Sequence, residues 1–333
     1  MIKPHLIGKS PLNVQLINFE LQKTLHLFGR YGITMFAISA IDIALWDLKA
    51  QAAAQPLYRY LGGPVRDTIR IYNTCAGPGY NWTAGASRAR VADRAGVQGL
   101  APTDDLLWQE TDPGGLALSL LEDGISAMKI WPFDRAAEAT GGHSISAAEL
   151  DYALSRIAAI RDAVGNRMEI LMEYHSLWHQ APALRILREV DSYAPFWHED
   201  PIAMENLQSL AELRNLSITP IAGSESHGSV TWVRDAIAAC AVDYLHFDIG
   251  WVGGLSEALR VAQYAAAHDR LIAPHDCTGP VVWMANLHLA LSQVNTLWLE
   301  SVRAYYNGLY CDLVTRLPQI RDGQASAPDA VGL

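Results

Sequence analysis

Eight short β-rich runs, most of them separated by helical stretches, constrain the fold of this chain more than any other feature. The runs begin near residues 69, 127, 169, 194, 218, 242, 271 and 296. Several are continuously apolar, as expected for strands that are buried on both faces. Strand–helix alternation predicts a parallel sheet, and eight strands favour a closed barrel over an open sheet. The first run is followed by no GxGxxG turn, which argues against an open dinucleotide-binding sheet.

A long predicted helix precedes these runs. Residues 35–54 carry apolar side chains at helical spacing without an internal glycine or proline, and Gln55–Pro56 ends the pattern. Between the first two runs, residues 76–124 are poorly periodic apart from one predicted helix in PGGLALSLLED. A long connection after a barrel strand lies over the catalytic face, so we expect this segment to contribute to function.

The overall charge and hydropathy narrow the classes of partner. A formal net charge of −10 argues against nucleic acid and against an anionic membrane, because both require basic patches. A bound divalent cation can still reverse the local field, so an anionic substrate is allowed. No run reaches the roughly 18 apolar residues of a membrane span, and the N-terminus lacks a signal-peptide pattern. We therefore expect a cytoplasmic protein with isolated, reduced cysteines.

Three successive runs end in a glutamate, and this is the strongest functional signal. Glu173, Glu199 and Glu225 follow one another at intervals of 26 residues, which is one strand–helix unit each. The carboxyl ends of barrel strands meet at one mouth, where three carboxylates would repel strongly without a cation. A single glutamate there would more often be a solvated loop residue. Oxygen ligands alone select Mg²⁺, Mn²⁺ or Ca²⁺ over zinc, and Mg²⁺ is the predicted cofactor.

The next two strands supply a candidate acid–base pair, Asp248 and His275. A carboxylate on one ring nitrogen raises the basicity of the other, which makes His275 a candidate general base. A buried histidine bonded to an aspartate is also commonly structural, so the pair gains weight only beside a metal site. His175 lies two residues after Glu173 and so shares its strand face, which would place a second titratable group across the metal.

Two further ionisable residues complete the predicted ring. Lys129 lies within an apolar strand, which is costly unless it contacts a substrate carboxylate or a metal ligand. Glu300 ends the last strand, where it is equally compatible with a solvated position.

Taken together, these motifs resemble the enolase superfamily, and more closely its mandelate racemase-like branch. The motifs are SAIDIALWDLKAQAAAQPLYRYLGG, LMEYH, WHEDP, AGSE, FDIGWVGG, APHD and WLES. The resemblance implies an α/β fold, a (β/α)7β TIM-like barrel preceded by a capping domain. It also implies roles for individual residues. Glu173, Glu199 and Glu225 would be the three metal ligands, and Asp248 with His275 would be the dyad of strands 6 and 7. Glu300 would hydrogen-bond the substrate carboxylate, and Lys129 would help to hold that carboxylate.

The sequence departs from the family pattern at informative positions. The second lysine of the family's KxK motif is replaced by Trp131, so a racemase that uses a Lys/His pair is not expected. The acid-x-His pattern of Glu173 and His175 resembles sugar-acid dehydratases, in which that histidine acts as general acid on the leaving hydroxyl.

Compared with the family pattern, the sequence is expected to be shorter at both ends. Relatives begin with three antiparallel strands, and MIKPHLIGKSP resembles the point at which that sheet has finished, so we expect a truncated, helical capping domain over residues 1–66. The barrel is predicted over residues 67–303, and a C-terminal segment over residues 304–333 is predicted to return to the cap.

We therefore predict Mg²⁺-dependent dehydration of a sugar acid to a 2-keto-3-deoxy acid through an ene-diolate, in a homo-oligomer whose partner is a small molecule. Trp131, Tyr174 and His227 are expected to contact the substrate, together with Lys129 and Glu300. Two alternatives remain open. One is an acid-sugar epimerase or cycloisomerase, and the other is a barrel that is inactive because its cap is incomplete.

Overall fold

A computed structural model describes residues 2–77 and 104–333, so part of the poorly periodic segment 76–124 lies outside the described residues. The strands are β1 (Ile69–Thr74), β2 (Ala127–Ile130), β3 (Glu169–Glu173), β4 (Trp197–Glu199), β5 (Ile221–Gly223), β6 (Tyr244–Leu245), β7 (Leu271–Ile272), β8 (Leu299–Ser301), β9 (Gln319–Arg321) and β10 (Gln324–Ser326). The first eight correspond to the eight runs of the sequence, each trimmed at its ends.

Helices precede the first strand and follow most of the others. They are α1 (Val14–Thr24), α2 (Ile33–Ala52), α3 (Leu57–Tyr60), α4 (Asp105–Thr111), α5 (Pro113–Glu122), α6 (Asp134–Thr140), α7 (Ala147–Val164), α8 (Gln180–Val190), α9 (Leu207–Leu216), α10 (Val230–Ala238), α11 (Ile249–Val252), α12 (Leu255–Ala267), α13 (Pro280–Ser292), α14 (Arg303–Gly308) and α15 (Tyr310–Leu313). Helix α7 begins at a capping box, in which Ser146 and Glu149 each accept from the other's backbone N–H. In the described part of the chain, every helix falls short of the length and apolar character that crossing a membrane demands.

The first eight strands form a parallel barrel sheet. Strands β1 to β7 pair in chain order, and β8 pairs with β1 at Ile71↔Leu299. The ladder between β7 and β8 reduces to one parallel bridge, Ile272↔Thr296, and its flanking backbone hydrogen bonds. The strands follow one another around a barrel, which confirms the predicted fold class of an α/β, TIM-like barrel with an N-terminal capping region. All eight carboxyl ends lie at one mouth.

The N-terminal helices have a small core of their own. Seven buried side chains, Val14, Ile17, Leu21, Leu25, Met35, Ile38 and Leu45, pack between α1 and α2. Helix α2 then docks on the barrel through hydrogen bonds to Gly253, which lies between α11 and α12, and to the first turn of α12. Ser39 Oγ accepts from the Gly253 N–H at 2.9 Å, and Asp42 Oδ1 accepts from the Ser256 N–H at 2.9 Å.

The C-terminal residues contact both the first barrel strand and the N-terminal helices. Strands β9 and β10 form a hairpin, and β10 pairs antiparallel with β1 at Ile69↔Ala325. The Leu333 N–H donates to Asp47 Oδ1 at 2.8 Å. The domain boundaries at residues 66 and 303 stay a prediction.

Candidate active site

Three carboxylates converge at the barrel mouth and form what we call the carboxylate cluster. Glu173 ends β3, Glu199 ends β4, and Glu225 lies two residues beyond β5. One oxygen from each lies within 4.8 Å of the other two. Glu173 and Glu199 are fully buried, whereas the side chain of Glu225 is 18% exposed toward solvent. The order of the strands therefore brings together residues that are 26 positions apart in sequence.

The backbone after β3 fixes the orientation of Glu173. The N–H groups of Tyr174 and His175 donate to its Oε1, at 2.8 and 2.5 Å. His175 adopts a left-handed φ of 49°, an uncommon conformation for a residue other than glycine, and this turns the chain so that both donors face the carboxylate. The second oxygen, Oε2, is buried and accepts no hydrogen bond from the described residues. It is thus available as a ligand.

The electrostatics of the cluster favour a cation. Burial and the neighbouring charge of Glu199 raise the pKa of Glu173 well above its ordinary value. Burial also acts to raise the pKa of Glu199, but the charges of His246 and Lys129 outweigh it and hold that pKa well below the usual range. Three neighbouring carboxylates, one of which has a buried oxygen without a hydrogen bond in the described part of the chain, fit the oxygen ligands that a divalent cation such as Mg²⁺ prefers.

The predicted dyad is assembled as a hydrogen-bonded pair. His275 Nδ1 lies 2.7 Å from Asp248 Oδ2, which leaves Nε2 facing the cluster at 3.0 Å from Glu225 Oε2. Asp248 is itself oriented by the Gly250 N–H and the Thr278 hydroxyl, at 2.6 and 3.1 Å. Burial would lower the pKa of His275, but the negative charge of Glu225 outweighs burial and raises it well above the ordinary value.

His175 lies on the other side of the cluster and has its own carboxylate. Its Nδ1 is 2.8 Å from Asp134 Oδ2, and the ring of Trp131 meets its ring edge-on with centroids 5.5 Å apart. Burial acts to raise the pKa of Glu225, yet the charges of His275 and His175 together hold it below the usual value. Both histidines are therefore close enough to Glu225 to act on it electrostatically.

Lys129 and Glu300 lie in the barrel interior, below the carboxylate cluster. Lys129 Nζ is 2.6 Å from Glu199 Oε1, 2.8 Å from Glu300 Oε1 and 3.6 Å from Glu173 Oε2. Glu300 accepts from the Thr74 hydroxyl and, at 3.0 Å, from the Asp276 N–H. They are 2% and 0% exposed, and their polar atoms are engaged by protein groups. The structure places both residues beneath the cluster, and their contact with the substrate stays a prediction.

The three predicted specificity residues occupy different surroundings. Trp131 lies beside His175, as described above. His227 lies near the mouth, with its ring centroid 4.9 Å from that of Tyr31 in the N-terminal region. Tyr174 does not reach the site, because strand alternation turns its side chain away from that of Glu173. It is fully buried, and its hydroxyl bonds His198 Nδ1 at 2.8 Å.

Sequence reasoning missed two functional candidates. His246 follows β6 directly and lies 2.9 Å from Glu199 Oε1. Its position two residues before Asp248 was a usable signal, because alternate residues of a strand share a face. Asp134, at the start of α6, gave no signal, since its contact with His175 depends on the path of the chain after β2.

Comparison with known proteins identifies the family. Residues 114–333 match the enolase C-terminal domain-like family, and residues 1–62 match the mandelate racemase/muconate lactonizing enzyme N-terminal domain. A D-galactonate dehydratase of Verminephrobacter eiseniae is 30% identical over 92% of this chain and 71% of its own length. A D-gluconate dehydratase of Thermoproteus tenax is 26% identical over 98% of this chain and 59% of its own length.

Solved structures agree with this assignment. An enolase of the mandelate racemase subgroup from Agrobacterium tumefaciens superimposes with a TM-score of 0.85 at 41% identity, over 99% of this chain and 80% of that protein. An enolase protein from Sargasso Sea environmental sequencing superimposes with a TM-score of 0.84 at 39% identity, over the same shares of each chain. The chain therefore belongs to the mandelate racemase/muconate lactonizing enzyme family of the enolase superfamily.

Proposed function

We propose that this chain is a Mg²⁺-dependent dehydratase that converts a sugar acid to a 2-keto-3-deoxy acid. The observation that carries the proposal is the pair of histidines beside the carboxylate cluster, each backed by its own carboxylate: His275 by Asp248 and His175 by Asp134. An elimination needs both a base and an acid, and this arrangement supplies one of each. The similarity to galactonate and gluconate dehydratases supports the same reaction class.

The metal would be held by Glu173, Glu199 and Glu225. When bound, Mg²⁺ supplies positive charge that stabilises the ene-diolate form of a substrate carboxylate and so makes the α-proton more acidic. Beneath the cluster, Lys129 holds Glu199 in place and is itself paired with Glu300.

In the proposed reaction one histidine removes a proton from the substrate and the other donates a proton to the leaving hydroxyl. Asp248 accepts the Nδ1 hydrogen of His275. A cation held by Glu225 would offset the negative charge that raises the pKa of His275. The neutral ring would then carry its lone pair on Nε2, which removes the proton from C2. His175 gives a proton to the C3 hydroxyl as the C3–O bond breaks, and water leaves. The resulting enol takes up a proton at C3 and becomes the 2-keto-3-deoxy acid. Trp131, packed against His175, and His227 at the mouth are proposed to contact the sugar chain.

The activity test uses a sugar-acid library, including D-galactonate and D-gluconate, with Mg²⁺ present. Formation of a 2-keto acid is read as semicarbazone absorbance, and α-proton exchange is read by NMR in deuterated water. Keto-acid formation that stops with EDTA and returns with Mg²⁺ agrees with the proposal. Epimerised sugar acid without keto acid would replace dehydration by epimerisation, and no turnover of any acid by folded, metal-loaded protein would support an inactive barrel.

Two variants separate the proton transfers. His275→Asn is expected to lower both exchange and dehydration by at least about 100-fold, because general-base catalysis contributes about that much or more. His175→Asn is expected to lower dehydration similarly while exchange continues. His179→Asn is the matched control, since this exposed histidine stacks on His143 outside the cluster. Undiminished exchange in His275→Asn would contradict its role as base.

A further inference from the structure

One layer of the barrel interior is made entirely of ionisable side chains. TIM-barrel interiors fill in layers of four residues that come from alternate strands. Here the even-numbered strands supply the layer directly beneath the mouth, and we call its four members the charged ring: Lys129, Glu199, His246 and Glu300. All four are at least 98% buried.

Basic and acidic side chains alternate around the charged ring. Glu199 Oε1 lies 2.6 Å from Lys129 Nζ and 2.9 Å from His246 Nε2. Glu300 closes the circle, because its Oε1 lies 2.8 Å from Lys129 Nζ and its Oε2 lies 3.5 Å from His246 Nε2.

The tautomer of His246 follows from its second nitrogen. Nδ1 lies 2.5 Å from the carbonyl oxygen of Ala273, which can only accept, so Nδ1 donates its hydrogen there. Nε2 therefore faces the two carboxylates, at 2.9 Å from Glu199 and 3.5 Å from Glu300. This bond ties the imidazole of His246 to the backbone directly after β7 and so fixes the plane of the imidazole.

Glu199 is left with a single open direction. A carboxylate offers about four lone-pair positions. Lys129 Nζ donates to Oε1 at 2.6 Å, His246 Nε2 faces the same oxygen at 2.9 Å, and the indole N–H of Trp197 donates to Oε2 at 3.0 Å. The remaining position is the one that the carboxylate cluster can use.

We propose that His246 is a positioning residue for the metal: through Nε2 it holds Glu199 in the orientation that binds the cation, opposite Lys129. The inference rests on the proposed metal site and adds to it a residue outside the ligand set. Groups that orient metal ligands typically change metal affinity by about 10–100-fold when they are replaced.

The test measures Mn²⁺ binding by electron paramagnetic resonance and Mg²⁺ binding by calorimetry, without substrate. His246→Asn places its amide near the Nδ1 position, where it can still donate to Ala273 but no longer reaches Glu199. We expect it to bind Mn²⁺ about 10–100-fold more weakly. His246→Gln keeps a donor near the Nε2 position, and we expect its affinity to stay within about threefold of the natural protein.

The control is His198→Asn, which alters a fully buried histidine on the outer face of β4. Its bonds to Tyr174 and Asp191 do not involve the cluster, so the variant is expected to lose stability but keep its Mn²⁺ affinity. This separates a general loss of packing from a loss of ligand orientation. All variants are checked by circular dichroism and urea unfolding.

The outcomes distinguish the inference from the function it builds on. Equal Mn²⁺ affinity in folded His246→Asn and the natural protein would overturn the role of His246 and leave the metal site intact. Equally weak binding by the Asn and Gln variants would overturn the donor contact. If His246→Asn does not fold, the Gln variant decides alone, and a tenfold loss there would contradict the proposal. A natural protein that binds no Mn²⁺ would overturn both the metal site and this inference.

Discussion

Two adjacent levels of the same barrel interior have opposite chemistry. The charged ring is flanked in register by an apolar set that we call the apolar floor: Tyr72, Leu171, Ala222 and Ala273. Leu171 pairs with Lys129, Ala222 with Glu199, and Tyr72 with Glu300. Below the floor, the aromatic rings of Trp197 and Trp298 fill the barrel, with centroids 6.0 Å apart.

The comparison indicates how one scaffold separates stability from function. The floor is buried hydrocarbon, whose transfer from water stabilises the fold without regard to direction. The ring is buried charge, which costs desolvation and is stable only while each member keeps its partners. Residues that pair across neighbouring strands, such as Leu171 and Lys129, thus differ in how much change they tolerate: the first can be repacked and the second cannot lose its charge.

The largest expected effect comes from removing one charge of the ring. Lys129→Met keeps the side-chain volume but leaves Glu199 and Glu300 without their shared ammonium, so we expect the free energy of unfolding to fall by about 3–5 kcal/mol and turnover to be lost. Urea unfolding in EDTA measures the change. The double variant Lys129→Met/Glu199→Gln should recover part of that stability, because it also removes an orphaned charge. A single variant within about 1 kcal/mol of the natural protein would mean that the ring is not electrostatically coupled.

Truncating a side chain of the apolar floor is expected to have a smaller effect, which is on stability alone. Leu171→Ala leaves a cavity beneath Lys129, and such changes cost about 2–5 kcal/mol of stability. Mn²⁺ affinity and turnover of the folded variant should be unchanged, since no ring contact is removed. Leu171→Met conserves volume and should cost less than about 1.5 kcal/mol. A loss of Mn²⁺ affinity in folded Leu171→Ala would mean that floor and ring are not separable.

The sequence predicted the elements of the barrel and the main acidic positions. Strand–helix alternation located all eight barrel strands, and the 26-residue spacing located Glu173, Glu199 and Glu225. Most of the predicted strands extended too far toward their carboxyl ends, because the hydrogen-bonded pairing of the strands stops before the functional side chains. Glu225 and His275 lie in the loops that follow β5 and β7.

Partnerships between side chains were harder to predict. Tyr174 was placed in the site although alternation from Glu173 turns it outward. His246 was overlooked although alternation from Asp248 turns it inward. The contact of Asp134 with His175 depends on two turns whose geometry is set by packing, and local sequence carries no pattern for it. Lys129 was predicted to need a partner, but its burial between Glu199 and Glu300 follows from the three-dimensional layer.

The smallest expected effect concerns His288, a buried ionisable group that belongs to neither the ring nor the floor. It lies on α13, where Nδ1 accepts the Tyr58 N–H at 2.9 Å and no charged partner is recorded among its contacts in the described residues. Burial lowers its pKa from 6.5 to about 4. Between these values the unfolded chain binds a proton that the folded chain does not, so stability falls as the pH drops from 6.5 to 4.

The loss attributable to His288 is at most about 3.5 kcal/mol, at about 1.4 kcal/mol for each pKa unit. Urea unfolding at pH 7, 5.5 and 4 measures it, with His288→Asn as the comparison because that amide oxygen can accept the Tyr58 N–H without titrating. Asp42, whose pKa burial raises to about 6, acts in the opposite sense over an overlapping window, so only the difference between the two proteins isolates His288. A difference that does not change with pH would show that His288 is hydrated in the folded state. A difference that grows toward pH 4 would show that an unpaired buried charge is costly outside the mouth, where no ring of opposite charges compensates it.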